Sequence, residues 1–402
     1  MTGLRRLGMP RGAAVESVMG DLAKALEGGG ALLPGPPDAT AGDLLPDPPD
    51  EVALVVGTSG SSGRPKLAML TADNLVSSAA ATHAVLGGTG RWLLAMPAHH
   101  IAGLQVLVRS IVAGTRPAVL DLTPGFTPAG FVDATRELTA GPGRRYTAVV
   151  PTQLTRLLED PAAREALASY DAVLVGGAAT GATDRARARR AGARVVTTFG
   201  MSETSGGCVY DGVPLPVSQV HIDNDHHVVL GGRTVALGYL GEPALTRDAF
   251  TVDSDGTRWF RTDDLGAFDD HGRLRIEGRA VDLINTGGLK VAPGPVEDAI
   301  VRFVPGVLDA VVIGTSHPTW GEAVSAAVTL RRGAPVPTVR DVRAVLRGIL
   351  PDHALPQRLL VLDVIPQRGP GKPDRRALGT AFGETMGMSM PDVDDDGGVV
   401  RC

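Results

Sequence analysis

Lysine and cysteine are scarce in this chain, and each scarcity carries information. Only four of the 39 basic residues are lysines, namely Lys24, Lys66, Lys290 and Lys372; the others are arginines. Arginine keeps its charge on a rigid fork, whereas lysine is a compact ammonium reaching a single point. A lysine retained against this bias is therefore a candidate for work that needs a lysine. The two cysteines, Cys208 and Cys402, cannot build a disulfide framework, which points to a reducing, cytoplasmic setting. No apolar run reaches the ~18 residues of a membrane span. The first twenty residues carry basic groups without the apolar stretch of a signal peptide. A net charge of −5 with no basic stripe excludes nucleic acid as the main partner and leaves small molecules. There is no internal repeat, and no GxSxG elbow for a hydrolase.

What is present is ordinary globular composition, 43% hydrophobic and 21% charged, over 402 residues, enough for two or three domains. Residues 1–50 form a short N-terminal segment of weak pattern. It holds one short helix near Val15–Leu26, followed by a linker rich in glycine and proline. From Val52 onward, short β-branched runs (Val52–Val56, Pro117–Asp121, Thr147–Val150, Ala172–Val175, Val195–Thr198) alternate with helical stretches (Asn74–Leu86, Phe131–Leu138, Thr152–Glu159, Asp184–Ala191). That alternation predicts an α/β fold with doubly wound, mostly parallel sheets. Ligands then belong at the carboxyl ends of strands. Over about 207–278 the pattern changes to short strands with Asp255-Gly256 and His271-Gly272 turn pairs, a small β subdomain. Residues 282–385 alternate helix and strand as a smaller α+β domain. The acidic tail over 386–402 is expected to be disordered.

The stretch Val52–Lys66 reads VALVVGTSGSSGRPK. Glycines let backbone N–H groups turn toward one point, hydroxyls add donors, and Lys66 adds charge, a chemistry suited to a polyphosphate. A flexible linker is the plain alternative for such composition. The spacing fits neither GxxxxGK[ST] nor GxGxxG.

The loop Thr58-Ser59-Gly60-Ser61-Ser62-Gly63-Arg64-Pro65-Lys66 resembles the phosphate loop [ST]SG[ST]TGxPK of the adenylate-forming superfamily, which includes acyl-CoA synthetases and adenylation domains. Further segments follow in that family's order. Met96–Gly103 is similar to its acid-side histidine segment, which places His100 beside the acyl carboxylate; a metal site at His99-His100 lacks further ligands at zinc spacing. Val175–Ala179, with Gly177 and Ala178, is similar to the adenine-side segment. Thr198–Thr204 is similar to YGxTE. The resemblance implies that Phe199 stacks on adenine, that Gly200, Met201 and Ser202 line the nucleotide, and that Glu203 holds Mg²⁺. A lone carboxylate beside phosphates suits that ion. Trp259–Gly266 is similar to YRTGDLG and implies a ribose carboxylate at Asp264, with Asp263 standing where glycine is usual. Gly278–Pro293 implies ribose contact at Arg279, a hinge at Asp282, and an acceptor-side loop of Gly287, Gly288 and Lys290. Pro370–Arg375 is similar to PxGKxxR and implies a catalytic Lys372 on a mobile C-terminal domain.

Two features narrow the resemblance to compact actinobacterial o-succinylbenzoate–CoA ligases of menaquinone biosynthesis. They are the short segment before the phosphate loop and the stretches Trp92–Ser110, Phe199–Asp211 and Arg261–Gly266. The resemblance implies a two-step ligase using ATP, Mg²⁺ and CoA, with a large domain over 51–281. A dicarboxylate acid needs a positive partner for its second carboxylate. Arg109, on a predicted helix nine residues after His100, is the candidate, an ordinary surface arginine being the alternative. Thr204, Ser205 and Gly206 are expected to line the aryl pocket. A homodimer stays open, as does the same chemistry on another acid.

Overall fold

The computed structural model describes residues 3–38, 45–58, 66–367, 373–387 and 400–401. The chain divides into two compact units. One comprises residues 1–180, 184–262 and 268–275; the other comprises 181–183, 263–267 and 276–402.

The first sheet of unit one has the order β1 (Arg5–Gly8), β2 (Leu32–Gly35), β3 (Val52–Gly57), β4 (Leu67–Thr71). Its first two strands lie within the segment expected to be helix and linker. Leu32, Leu33 and Pro34 are buried there, and β2 pairs parallel with both β1 and β3. The glycine–proline composition concealed a strand that supplies only four residues. The expected helix divides into a 3-10 turn over Gly12–Val18 and α1 (Met19–Leu26).

The second sheet comprises β5 (Gly90–Leu94), β6 (Ala118–Val119), β7 (Arg144–Val149), β8 (Ala172–Val175), β9 (Val195–Met201), β10 (Gly206–Tyr210) and β11 (Val213–Pro214), in the order 11-10-9-8-7-5-6. Strands 5 to 9 are mutually parallel, whereas β10 returns antiparallel along β9. Helices α2 (Ala72–Leu86), α3 (Ile101–Val112), α4 (Pro128–Thr139), α5 (Pro151–Glu159) and α6 (Pro161–Ala168) accompany it. Their starts have local causes. Thr71 and Asn74 form a reciprocal capping box on α2. Thr127 caps α4 and Asp160 caps α6, each ahead of a proline at the first helical position.

The third sheet has β12 (Ser218–Ile222), β13 (His227–Gly232), β14 (Phe250–Val252), β15 (Arg258–Phe268) and β16 (Leu274–Arg279), ordered 12-13-15-14 with β16 on β15. It begins at Ser218, because 206–210 joins the parallel sheet instead. Gly256 and Gly272 take positive φ in the expected turns. The boundary between the units passes through β15 and β16.

Unit two is built on a sheet of β17 (Ile284–Thr286), β18 (Leu289–Val291), β19 (Val307–His317), β20 (Gly321–Leu330), β21 (Arg358–Val361) and β22 (Val400–Arg401). Helices α7 (Pro293–Phe303) and α8 (Val339–Leu346) share its core with Val312, Val324 and Val328. The second of these helices ends at Leu346, and Arg347 and Leu350 form a bridge just beyond it. A last helix, α9 (Arg375–Gly387), covers Val311, Ile313 and Leu360 through Leu378 and Phe382. It and β22 enter the stretch expected to be disordered; the rest of that tail lies outside the described residues. Among the described residues no helix is long and apolar enough to cross a membrane.

Candidate active site

In unit one the phosphate-loop sequence is the connection of the β3–β4 hairpin. Gly57 pairs with Leu67, and the Thr58 N–H donates to the Lys66 carbonyl at 2.8 Å. The sequence therefore leads into a strand rather than a helix. Ser59, Gly60, Ser61, Ser62 and Gly63 lie outside the described residues.

The described ends of this loop meet the β9–β10 connection. Ser202 Oγ donates to the Gly57 carbonyl at 3.2 Å. Lys66 Nζ stands 5.0 Å from the centre of the Tyr239 ring, and the Tyr239 hydroxyl donates to Glu203 Oε1 at 2.9 Å. Glu203 is buried, and its carbonyl accepts the Ala236 N–H at 2.8 Å. Tyr239 is thus a site residue that the sequence does not signal; no motif surrounds it, and an isolated antiparallel bridge of Ala68 with Tyr239 brings it in.

The strand carrying Phe199, Gly200 and Met201 continues through the motif instead of ending at Thr198. It reverses over a 3-10 turn, Ser202–Thr204, and two residues at positive φ, Ser205 and Gly206. Thr204 Oγ1 accepts the Met201 N–H at 3.0 Å and donates to the Gly206 carbonyl at 2.9 Å. A Cβ on Gly200 would collide with the Gly206 carbonyl, so the close approach of β9 and β10 requires glycine there. Half-buried Phe199 packs on Cys208, Val209 and Leu230. Burial pushes the Cys208 thiol up to about 12, so it is no nucleophile at neutral pH. Gly177 and Ala178 follow β8, whose end pairs with β9 at Thr197; Gly177 takes φ +86°.

His100 is the N-cap residue of α3, half-buried, with its ring 4.2 Å from that of His99. Burial, and then the charge of Arg11, lowers the His99 pKa. Arg109 lies in the last turn of the same helix and is not a surface arginine: it is 3% exposed. Its guanidinium lies 4.9 Å over the Trp92 ring and donates to the Tyr210 hydroxyl at 3.3 Å; its Nε has no partner. Among the described residues no carboxylate forms an ion pair with it. His83 accepts the Trp92 indole N–H at 3.1 Å, and burial, then Arg109, lowers its pKa to about 4. Arg109 is therefore a buried, uncompensated positive charge beside a neutral imidazole.

Unit two holds the remaining described candidates. Arg279 Nε lies 3.3 Å from Asp264 Oδ1, and its terminal nitrogen 4.0 Å from Asp263 Oδ2. Asp264 is 14% exposed against 62% for Asp263, as alternation along β15 requires. Asp263 is not among the residues at positive φ, so the strand accepts it where the family pattern has glycine. Asp282 closes a short 3-10 turn and pairs with Arg375 at 3.4 Å; Arg375 also reaches Glu297 at 3.0 Å and the Val312 carbonyl. Gly287 and Gly288, at φ +59° and +81°, are the two central residues of the β17–β18 hairpin. Lys290 is exposed opposite Asn285. Trp320, another residue not foreseen, stacks on His317 at 4.3 Å and accepts the Gly287 N–H through its carbonyl. Lys372 lies outside the described residues; its flanks are joined by a Gln367–Pro373 bridge.

The described residues contain no cluster of three potential metal ligands. Glu203 is a single buried carboxylate beside the phosphate-loop ends. That fits a magnesium ion carried largely by nucleotide oxygens and water, not an all-protein cage.

The model of the AMP-binding enzyme family matches residues 14–240, and that of the AMP-binding enzyme C-terminal domain matches 295–372. A probable 2-succinylbenzoate–CoA ligase of Mycobacterium tuberculosis is 44% identical over 386 residues, covering 94% of this chain and 98% of the relative. Among solved structures, ATP-bound MatB of Rhodopseudomonas palustris superposes with a TM-score of 0.72 at 26% identity, covering 88% of this chain and 75% of that one. The o-succinylbenzoate CoA synthetase of Bacillus subtilis, in complex with its acyl-adenylate intermediate, shares the fold at TM-score 0.71 and 24% identity, covering 93% and 82%. The chain belongs to the AMP-binding enzyme family and carries that family's C-terminal domain.

Proposed function

We propose that this enzyme activates o-succinylbenzoate with ATP and passes the acyl group to CoA, a cytoplasmic step of menaquinone biosynthesis. The observation carrying the substrate reading is Arg109. A fully buried guanidinium without a carboxylate partner is costly to keep, and an acid with a second carboxylate supplies what it lacks. The likeness to a probable 2-succinylbenzoate–CoA ligase over nearly all of both chains supports the same acid.

In this reading the loop 58–66 and Lys66 bind the ATP phosphates. Phe199 with Gly177 and Ala178 bounds the adenine, Gly200, Met201 and Ser202 line the nucleotide, and Asp264 with Arg279 takes the ribose hydroxyls. His100 borders the reacting carboxylate, and Thr204, Ser205 and Gly206 line the ring. Glu203 would hold magnesium, which would shield the phosphate charge. Tyr239, by donating to Glu203 Oε1, orients that carboxylate. The carboxylate attacks the α-phosphorus and pyrophosphate leaves, with Lys372 neutralising charge between the two anions. The C-terminal domain then turns about Asp282 and brings Gly287, Gly288 and Lys290 to the CoA thiol, which displaces AMP. Trp320 on His317 offers a flat apolar face beside that turn for the acceptor. Both steps depend on positioning and electrostatics.

The test is pyrophosphate release over a panel of acids, with and without CoA. Release with o-succinylbenzoate and CoA-dependent thioester formation are expected. Silence with that acid and turnover of another would overturn the substrate, and adenylate without thioester would overturn the acceptor.

A further inference from the structure

Ser205 is one of three non-glycine residues at positive φ in the described chain, at +56°, and it sits in the connection that carries Glu203. A side chain in this region is held only where its surroundings over-determine it. Three contacts do so. Its own hydroxyl donates to the Thr234 carbonyl at 3.0 Å. Its carbonyl accepts from Ser78 Oγ at 3.5 Å, a long bond, and from Gln105 Nε2 at 2.8 Å. Gln105 is therefore the strong anchor. It is 1% exposed, its amide orientation is dictated by the carbonyl it faces, and its Oε1 has no partner. A buried amide with half its capacity unused is expensive unless the bond it does make is needed.

Gln105 also links two parts of the acid pocket. It lies on α3, one turn beyond the cap residue His100 and one turn before Arg109. A Cβ built on Gly206 would come within 3.5 Å of Gln105 Cγ, so the glutamine stem backs the wall of the ring pocket as well as its shape. We infer that Gln105 is a positioning residue for acid selection: by clamping the Ser205 carbonyl it holds the 204–207 wall at a fixed distance from His100 and Arg109. This rests on the proposed reading of the pocket as the acid site, but not on which acid fills it.

The test uses Gln105→Met, which keeps the volume and removes the donor, with the acid that the wild type adenylates best. The KM for the acid is expected to rise about tenfold while the KM for ATP stays within about twofold, a split that a general loss of structure would not produce. Adding Ser205→Gly, which adopts the same backbone without strain, is expected to restore most of the loss. If Gln105→Met alone yields no folded protein, the double variant is expected to recover it, measured by thermal melting. Equal rises in both KM values, no change in either, or no rescue by Ser205→Gly would overturn the inference. Failure of o-succinylbenzoate in the wild type would instead overturn the substrate reading alone.

Discussion

His83 accepts the Trp92 indole proton through Nε2, so its own proton sits on Nδ1 and a second proton has no favourable place. The folded ring titrates near 4 while the unfolded one titrates near 6.5. The unfolded chain thus binds more protons between these values, and stability falls as pH drops through that window. Urea midpoints taken across it are expected to fall more steeply for the wild type than for His83→Gln, by a slope of about one proton. Equal slopes would mean that the folded ring accepts a proton beside Arg109. Gly200 gives a second residue-scale expectation. Gly200→Ala forces apart two paired strands and should cost about 1–3 kcal/mol, as overpacking does, with adenylation lost alongside. The arginine bias of the chain sharpens the view of Lys66, whose ammonium lies over Tyr239, the residue that orients Glu203.

At the scale of elements, the Gly287–Gly288 turn joins β17 and β18 with both central residues at positive φ, as the two-residue hairpin demands. Gly288→Val is expected to slow thioester formation at least about tenfold while leaving acid-dependent pyrophosphate release nearly intact, since a β-branched residue resists that conformation. Equal slowing of both half-reactions would assign the turn to adenylation. Most of the elements were legible because their causes are local. β3 and β8 lie where β-branched runs place them, and capping residues and prolines mark the helix starts. What was not legible depended on distant partners. β2 exists only because β1 and β3 flank it, β10 belongs to the parallel sheet only because Gly200 lets it approach, and Tyr239 reaches Glu203 only through pairing with β4. Arg109 was legible as a candidate and not as a buried charge, because burial is set by α2, β5 and β10 together.

On the scale of the whole molecule, the short N-terminal segment is part of the large unit's core. Leu7, Val15, Leu22 and Leu32 share one cluster with Leu54, Val56 and Leu104. Deleting residues 1–44 would expose that cluster and the edge of β3, which carries the phosphate loop. The truncated chain is expected to aggregate or to melt without cooperativity in calorimetry; a soluble chain with a wild-type melt would show the segment to be dispensable.

The central claim is that one buried cation selects a dicarboxylate acid for adenylation. Its most direct measurement is acid-dependent pyrophosphate release by wild type and Arg109→Met, with o-succinylbenzoate compared against an analogue lacking the second carboxylate. The account predicts that the wild type prefers the dicarboxylate by about tenfold or more in kcat/KM and that Arg109→Met, still folded, loses that preference. A variant that keeps the full preference would contradict it.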